Sequence, residues 1–173
     1  MLLRFSKVLF AMSAVVLASC VSNPPSPSSE VKGVKYFREA AELVPKFVGR
    51  YVVGEVRGVS ANFDEVTLDL QDGVPRIRLT SKGGTLVVEQ FLLDSCHGDL
   101  KSGSSGTPYL YCFSGQPTER SVSFSARAPG SSFSASNINY ISPLKLPDGY
   151  MLSVERYFGT AARGPTFAAK KIQ

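Results

Sequence analysis

Val66-Thr67-Leu68-Asp69-Leu70-Gln71-Asp72-Gly73-Val74-Pro75-Arg76-Ile77-Arg78-Leu79 is the stretch that decides the fold. Apolar and polar residues alternate on both sides of Asp72-Gly73, which is the period of a half-buried strand. Asp-Gly in that setting signals a two-residue hairpin turn. The turn sets a register in which Gln71 opposes Val74, Asp69 opposes Arg76, Leu68 opposes Ile77 and Val66 opposes Leu79. Apolar residues then share one face, and Asp69 meets Arg76 on the other. That pairing gives Arg76 a structural role rather than a binding one.

The same short period recurs from Phe47 onward, broken by Gly, Pro, Asn and Asp. It predicts further strands over residues 51–56, 85–93, 108–113, 121–127, 138–141 and 150–158, with a turn at 81–84 and loops at 98–106 and 129–137. Upstream, Val34, Phe37, Ala41 and Val44 recur at helical spacing. They predict a helix over residues 34–44, ended by Pro45 and packed on the sheet. Nothing after Pro45 reads as a second helix. The expected fold is mainly β: about eight antiparallel strands forming a small barrel or sandwich, preceded by one short α-helix.

At the N-terminus, Arg4 and Lys7 precede an apolar run over residues 8–16 and then Leu17-Ala18-Ser19-Cys20. The run falls short of the about 20 apolar residues that span a bilayer. Its end resembles the lipobox of bacterial lipoproteins at all four positions. The resemblance implies that residues 1–19 are a signal peptide and that Cys20 is the lipidated first residue of the mature chain. It would carry a diacylglyceryl thioether and a fatty acid, such as palmitate, on the new amine. Each buried CH₂ contributes about 0.8 kcal/mol, so two or more chains anchor durably. In that class an Asp after the Cys retains the protein at the inner membrane. Val21 and Ser22 stand here instead, which implies the outer membrane, facing the periplasm, or the outer face of the plasma membrane in a cell without one. Residues 20–33, with Pro24-Pro25-Ser26-Pro27, read as a solvated tether. Residues 34–158 read as one β-rich domain, and 159–173 as a tail with Lys170-Lys171 at its frayed end.

Three cysteines less the lipidated one leave Cys96 and Cys112 in an exported domain, where they are expected to form a disulfide. Closing that loop is worth about 3 kcal/mol in the chain-entropy picture. The formal charge of +5 includes Arg4 and Lys7. Without them 17 basic and 14 acidic side chains remain, a net +3 with no clustered basic face, so no nucleic-acid partner is expected.

Catalytic chemistry is sparse. The single histidine, His97, adjoins Cys96, but neighbours on a strand point to opposite faces and do not form a Cys-His pair. His97 with Asp94 and Asp99 reads as a polar turn rather than a metal site. Ser95 and Ser114 lie in no G-x-S-x-G elbow. The adjacent carboxylates Asp64 and Glu65 read as solvent-facing turn residues. No catalytic residue, cofactor or metal is expected.

Two short stretches resemble known families. Phe47-Val48-Gly49-Arg50-Tyr51 resembles the opening strand of lipocalins, with Tyr51 where that family usually has Trp. The resemblance implies an eight-stranded barrel around a lipid or small apolar ligand. Ser105-Gly106-Thr107-Pro108-Tyr109 is similar to the S-G-x-x-Y loop of membrane-bound lysozyme inhibitors, which implies that Ser105 and Tyr109 contact a lysozyme cleft. The K-G-x-x-A segment of that family is missing here, and a +3 chain suits a cationic lysozyme poorly. The primary expectation is a membrane-anchored envelope lipoprotein whose non-catalytic β-domain binds another envelope component, an envelope protein ahead of a lipid.

Overall fold

The computed structural model describes residues 27–102, 106–115, 119–134, 142–158 and 161–173. The signal peptide, Cys20, the tether up to residue 26, Ser105 and the expected strand at 138–141 lie outside the described residues. Within them the chain forms fourteen strands and one helix. In order these are β1 (Ser29–Val31), β2 (Val34–Arg38), α1 (Ala40–Phe47), β3 (Gly49–Gly58), β4 (Glu65–Gln71), β5 (Val74–Ser81) and β6 (Leu86–Leu92). There follow β7 (Ser95–Ser102), β8 (Thr107–Ser114), β9 (Arg120–Ala126), β10 (Ser131–Phe133), β11 (Leu144–Leu146), β12 (Tyr150–Phe158), β13 (Ala161–Arg163) and β14 (Pro165–Lys171).

The central hairpin has the expected register, with Val66 opposite Leu79, Leu68 opposite Ile77, Asp69 opposite Arg76 and Gln71 opposite Val74. All four apolar members of these pairs on the inner face, Val66, Leu68, Ile77 and Leu79, are buried. On the other face Asp69 accepts two hydrogen bonds from Arg76, at 2.8 and 2.9 Å, and one from Arg78. Asp72 and Gly73 take φ of 54° and 86°, the left-handed pair that a two-residue hairpin requires.

The fold is mainly β, as expected of a small barrel or sandwich, but the described residues form fourteen strands rather than about eight and close no barrel. The large sheet runs β1-β2-β7-β8-β9-β12-β14-β3-β4-β5-β6, with β13 on β12 and a separate β10-β11 hairpin. It is mixed, because β2 runs parallel to β7. Among the described residues β1 and β6 each pair on one side alone, yet Leu68 and Ile77 from one half share a core with Cys96, Leu110 and Phe124 from the other. The sheet therefore curls over itself, and among the described residues β1 and β6 do not pair. Where the halves approach, Glu89 of β6 accepts hydrogen bonds from Arg120 of β9 at 2.5 Å and Arg156 of β12 at 2.8 Å.

The expected helix at 34–44 is replaced by β2 followed by α1. Val34 and Tyr36 are buried while Lys35 is exposed, the alternation of a strand. Arg38 then turns the chain at φ 53°. Pro45 lies inside α1 rather than ending it. In so short a helix it forfeits one backbone bond, while Ala40, Leu43, Val44 and Phe47 are buried. The helix packs chiefly on β7, where Gly98 makes room for it, since a Cβ there would stand 2.6 Å from the Cα of Ala40.

The ends of the chain also differ from expectation. β1 belongs to the segment read as tether, and β14 to the segment read as tail. β14 lies between β12 and β3 with Phe167 fully buried. Lys171 donates to the Lys46 carbonyl at 3.1 Å and stands 5.6 Å over the Tyr51 ring, so it is not frayed.

Candidate aromatic binding face

Strand alternation buries Cys96 on β7, Leu110 and Cys112 on β8, Val122 and Phe124 on β9, and Leu152 and Val154 on β12. Their neighbours must line the opposite face. From β2 and β7 come Phe37 and His97, stacked at 4.3 Å and 4°. From β8 come Tyr109, Tyr111 and Phe113, with Phe113 edge-on to Tyr111 at 4.3 Å. His97 meets Phe113 edge-on at 6.0 Å, so the rings form a continuous band across three strands.

On β9 the same face carries Ser121, Ser123 and Ser125, which are buried although they point away from the core. The Tyr109 side chain lies beside Ser123 and that of Tyr111 beside Ser121. The tyrosines therefore lean across β9, and the small serines leave room beneath them. From β12, Tyr157 hydrogen-bonds the hydroxyl of Tyr111, and Glu155 accepts from Ser121 at 3.3 Å. Burial pushes both Tyr109 and Tyr111 above the usual phenol range. They stay protonated at neutral pH and remain able to donate.

At the β7 end, Arg38 and Asp99 approach to 3.8 Å beside an open depression of about 500 Å³ lined by His97, Tyr109, Tyr111 and Phe113. His97 is held below its ordinary value by burial and then by the positive charge of Arg38, so it is neutral at pH 7. On the far side of the face, the β10-β11 hairpin packs through Leu144 and Leu146 onto Met151 and Ala168.

No protein-family model, curated protein or solved structure matches this chain. Among the described residues, no helix is long and apolar enough to cross a membrane.

The other expected site residues fall as follows. Cys96 and Cys112 sit directly opposite each other and are joined as a disulfide, with Cα atoms 4.1 Å apart. The bridge lies on the inner face and ties β7 to β8 behind the aromatic band. Tyr109 belongs to that band, and Ser105 lies outside the described residues. Asp94 accepts from the backbone of Gly115, and Asp99 from that of Lys101, each at 2.9 Å. Among the described residues, no three His, Cys, Asp or Glu side chains gather as a metal set.

Glu65 corrects the reading of Asp64-Glu65 as solvent-facing turn residues. It is buried and takes a two-pronged contact from Arg50, at 2.7 and 2.8 Å. Tyr51, the lipocalin-like aromatic, is wholly buried and donates to the Phe47 carbonyl at 2.7 Å. It packs on Phe124 and Tyr150 within the core, where a lipocalin would hold its ligand. The serine row and the Tyr-x-Tyr-x-Phe run were both visible at a spacing of two. Neither marks a site by itself, because polar and aromatic residues on an outer strand face are individually ordinary.

Proposed function

We propose that this chain is a lipid-anchored protein of the bacterial cell envelope, held through Cys20 at the outer membrane and facing the periplasm. Its β-rich domain binds another envelope component, a protein, through the tyrosine face of β8, β9 and β12. The role is adhesive rather than catalytic.

The observation that carries this reading is the aromatic band laid over buried serines. Tyrosine offers a large, stiff, amphipathic surface that loses little side-chain entropy on binding. Here that entropy is already reduced, because the hydroxyl contact of Tyr111 with Tyr157 and its edge-on packing with Phe113 hold the rings before any partner arrives. Aromatic residues and arginine are the usual anchors of protein interfaces, and Arg38 stands at the rim. The disulfide behind the band holds β7 and β8 in fixed relation. Lipid attachment is supported by the four matching lipobox positions and by the tether composition after Cys20.

The test is crosslinking of the full chain in cells, purification under denaturing conditions, and identification of what is attached. A discrete protein partner whose yield falls with Tyr109→Ala and Tyr157→Ala supports the reading. Equal capture by those variants, or no protein partner, overturns it. Cys20→Ser tests the anchor separately. It should abolish incorporation of labelled palmitate and release the protein from the membrane fraction.

A further inference from the structure

Among the described residues, four positions other than glycine take a left-handed backbone: Lys32, Arg38, Asp72 and Lys82, with φ between 51° and 54°. Lys32, Asp72 and Lys82 stand in the β1–β2, β4–β5 and β5–β6 turns, each directly before a glycine, where hairpin geometry requires that conformation. No hairpin accounts for Arg38, which joins β2 to α1 and is followed by Glu39. A side chain costs stability there and glycine does not. Arg38 is held in place because it pairs with Gly98 of β7 and its carbonyl accepts from Ser28 Oγ at 3.0 Å.

The side chain gives the fold little in return. Arg38 is 72% exposed, and its ion pair with Asp99 is 3.8 Å long, whereas every other arginine ion pair among the described residues closes to 2.9 Å or less. Asp99 meanwhile accepts from the Lys101 backbone at 2.9 Å. The forked N–H donors of Arg38 therefore remain available at the rim of the depression formed by His97, Tyr109, Tyr111 and Phe113. Aromatic walls exclude water, which strengthens a charge pairing made beside them.

From the strained backbone, the exposed guanidinium and the aromatic walls, we infer that Arg38 determines the specificity of the tyrosine face by pairing with an Asp or Glu side chain of the partner protein. An apolar neighbour of that acid lies on Tyr111 and Phe113. The inference rests on the reading of this face as a protein-binding surface.

The full chain in detergent, with isotope-labelled aromatic rings, is titrated with the peptide acetyl-Gly-Phe-Glu-Phe-Gly-amide and followed by NMR. Ring signals of His97, Tyr111 and Phe113 should shift. The same peptide with Gln in place of Glu should bind at least about tenfold more weakly, as should the Glu peptide to Arg38→Gln. Arg38→Gly should lose the same affinity while melting no lower than the unaltered chain, an outcome that a purely structural arginine would not give. No shift with the Glu peptide, equal affinity for both peptides, or undiminished binding by Arg38→Gln overturns the proposal. A melting temperature of Arg38→Gly lower by more than about 4 °C does so too. Preference for acetyl-Gly-Phe-Phe with a free terminal carboxylate overturns the assignment to an acidic side chain. In the cellular crosslinking test, a partner captured equally by Arg38→Gln overturns the acidic contact alone, whereas the absence of any partner overturns the reading of the face as well.

Discussion

Glu89→Gln removes one charge from the point where the two halves of the curled sheet approach. The carboxylate accepts from Arg120 Nε at 2.5 Å and Arg156 Nη2 at 2.8 Å. Glu89 and Arg120 are 22 and 24% exposed, whereas Arg156 is 54% exposed. A hydrogen bond to a charged group contributes about 1.5–3 kcal/mol and a neutral one about 0.5–1.5. The Arg120 contact should therefore lose about 1 kcal/mol, and the solvent-screened Arg156 contact less. The expected total is about 1–2 kcal/mol, or a melting temperature lower by about 2–8 °C.

Urea unfolding at pH 7 without reductant reads this directly. Burial pushes the Glu89 carboxyl up, but hydrogen bonds from Arg156 and Arg120 outweigh it and hold the group below its ordinary value of 4.5. A depressed folded pKa means that the unfolded chain binds more protons in the interval between the two values. The stabilisation is thus complete above pH 4.5 and disappears as pH falls through the lower, folded value. The gap between the unaltered chain and Glu89→Gln should close over that interval. A loss under about 0.5 kcal/mol at pH 7, the range of an ordinary surface change, refutes the reasoning, as does a gap that persists below the folded value.

Gly98→Ala should cost about 1–3 kcal/mol in urea unfolding, because the new methyl meets the backbone of Ala40 where α1 begins. Reducing the Cys96–Cys112 bridge should lower stability by about 3 kcal/mol while far-ultraviolet circular dichroism stays unchanged below the melt. Tyr51→Phe leaves the Phe47 carbonyl without its 2.7 Å donor in a buried site, and should cost about 1–3 kcal/mol in the same measurement.

The hairpin was legible because three independent signals agree there: alternation, Asp-Gly, and an opposed Asp69 and Arg76. Elsewhere a single signal misled. Val34, Phe37, Ala41 and Val44 fit a helical period, but Val34 and Tyr36 also fit a period of two, and pairing with β7 decides between them. The Phe167-Ala168-Ala169 run carries weak strand propensity, yet it lies mid-sheet, where small residues suit close approach to Gly54. Barrel and sandwich stay open alternatives in the sequence for another reason. Alternation fixes which face is inward but says nothing about whether the last strand meets the first. Glu65 looked like a turn residue because its partner, Arg50, lies fifteen positions away on another strand. The tyrosine face needed the pairing of β8, β9 and β12, which no local pattern reveals.

The most direct test of the account places a photoreactive amino acid at Tyr157, and in parallel at Thr67 on the outer face of β4, in the full chain in cells. The account predicts one discrete protein adduct from position 157 and none of that adduct from position 67. Equal adducts from both positions, or none from 157, would contradict it.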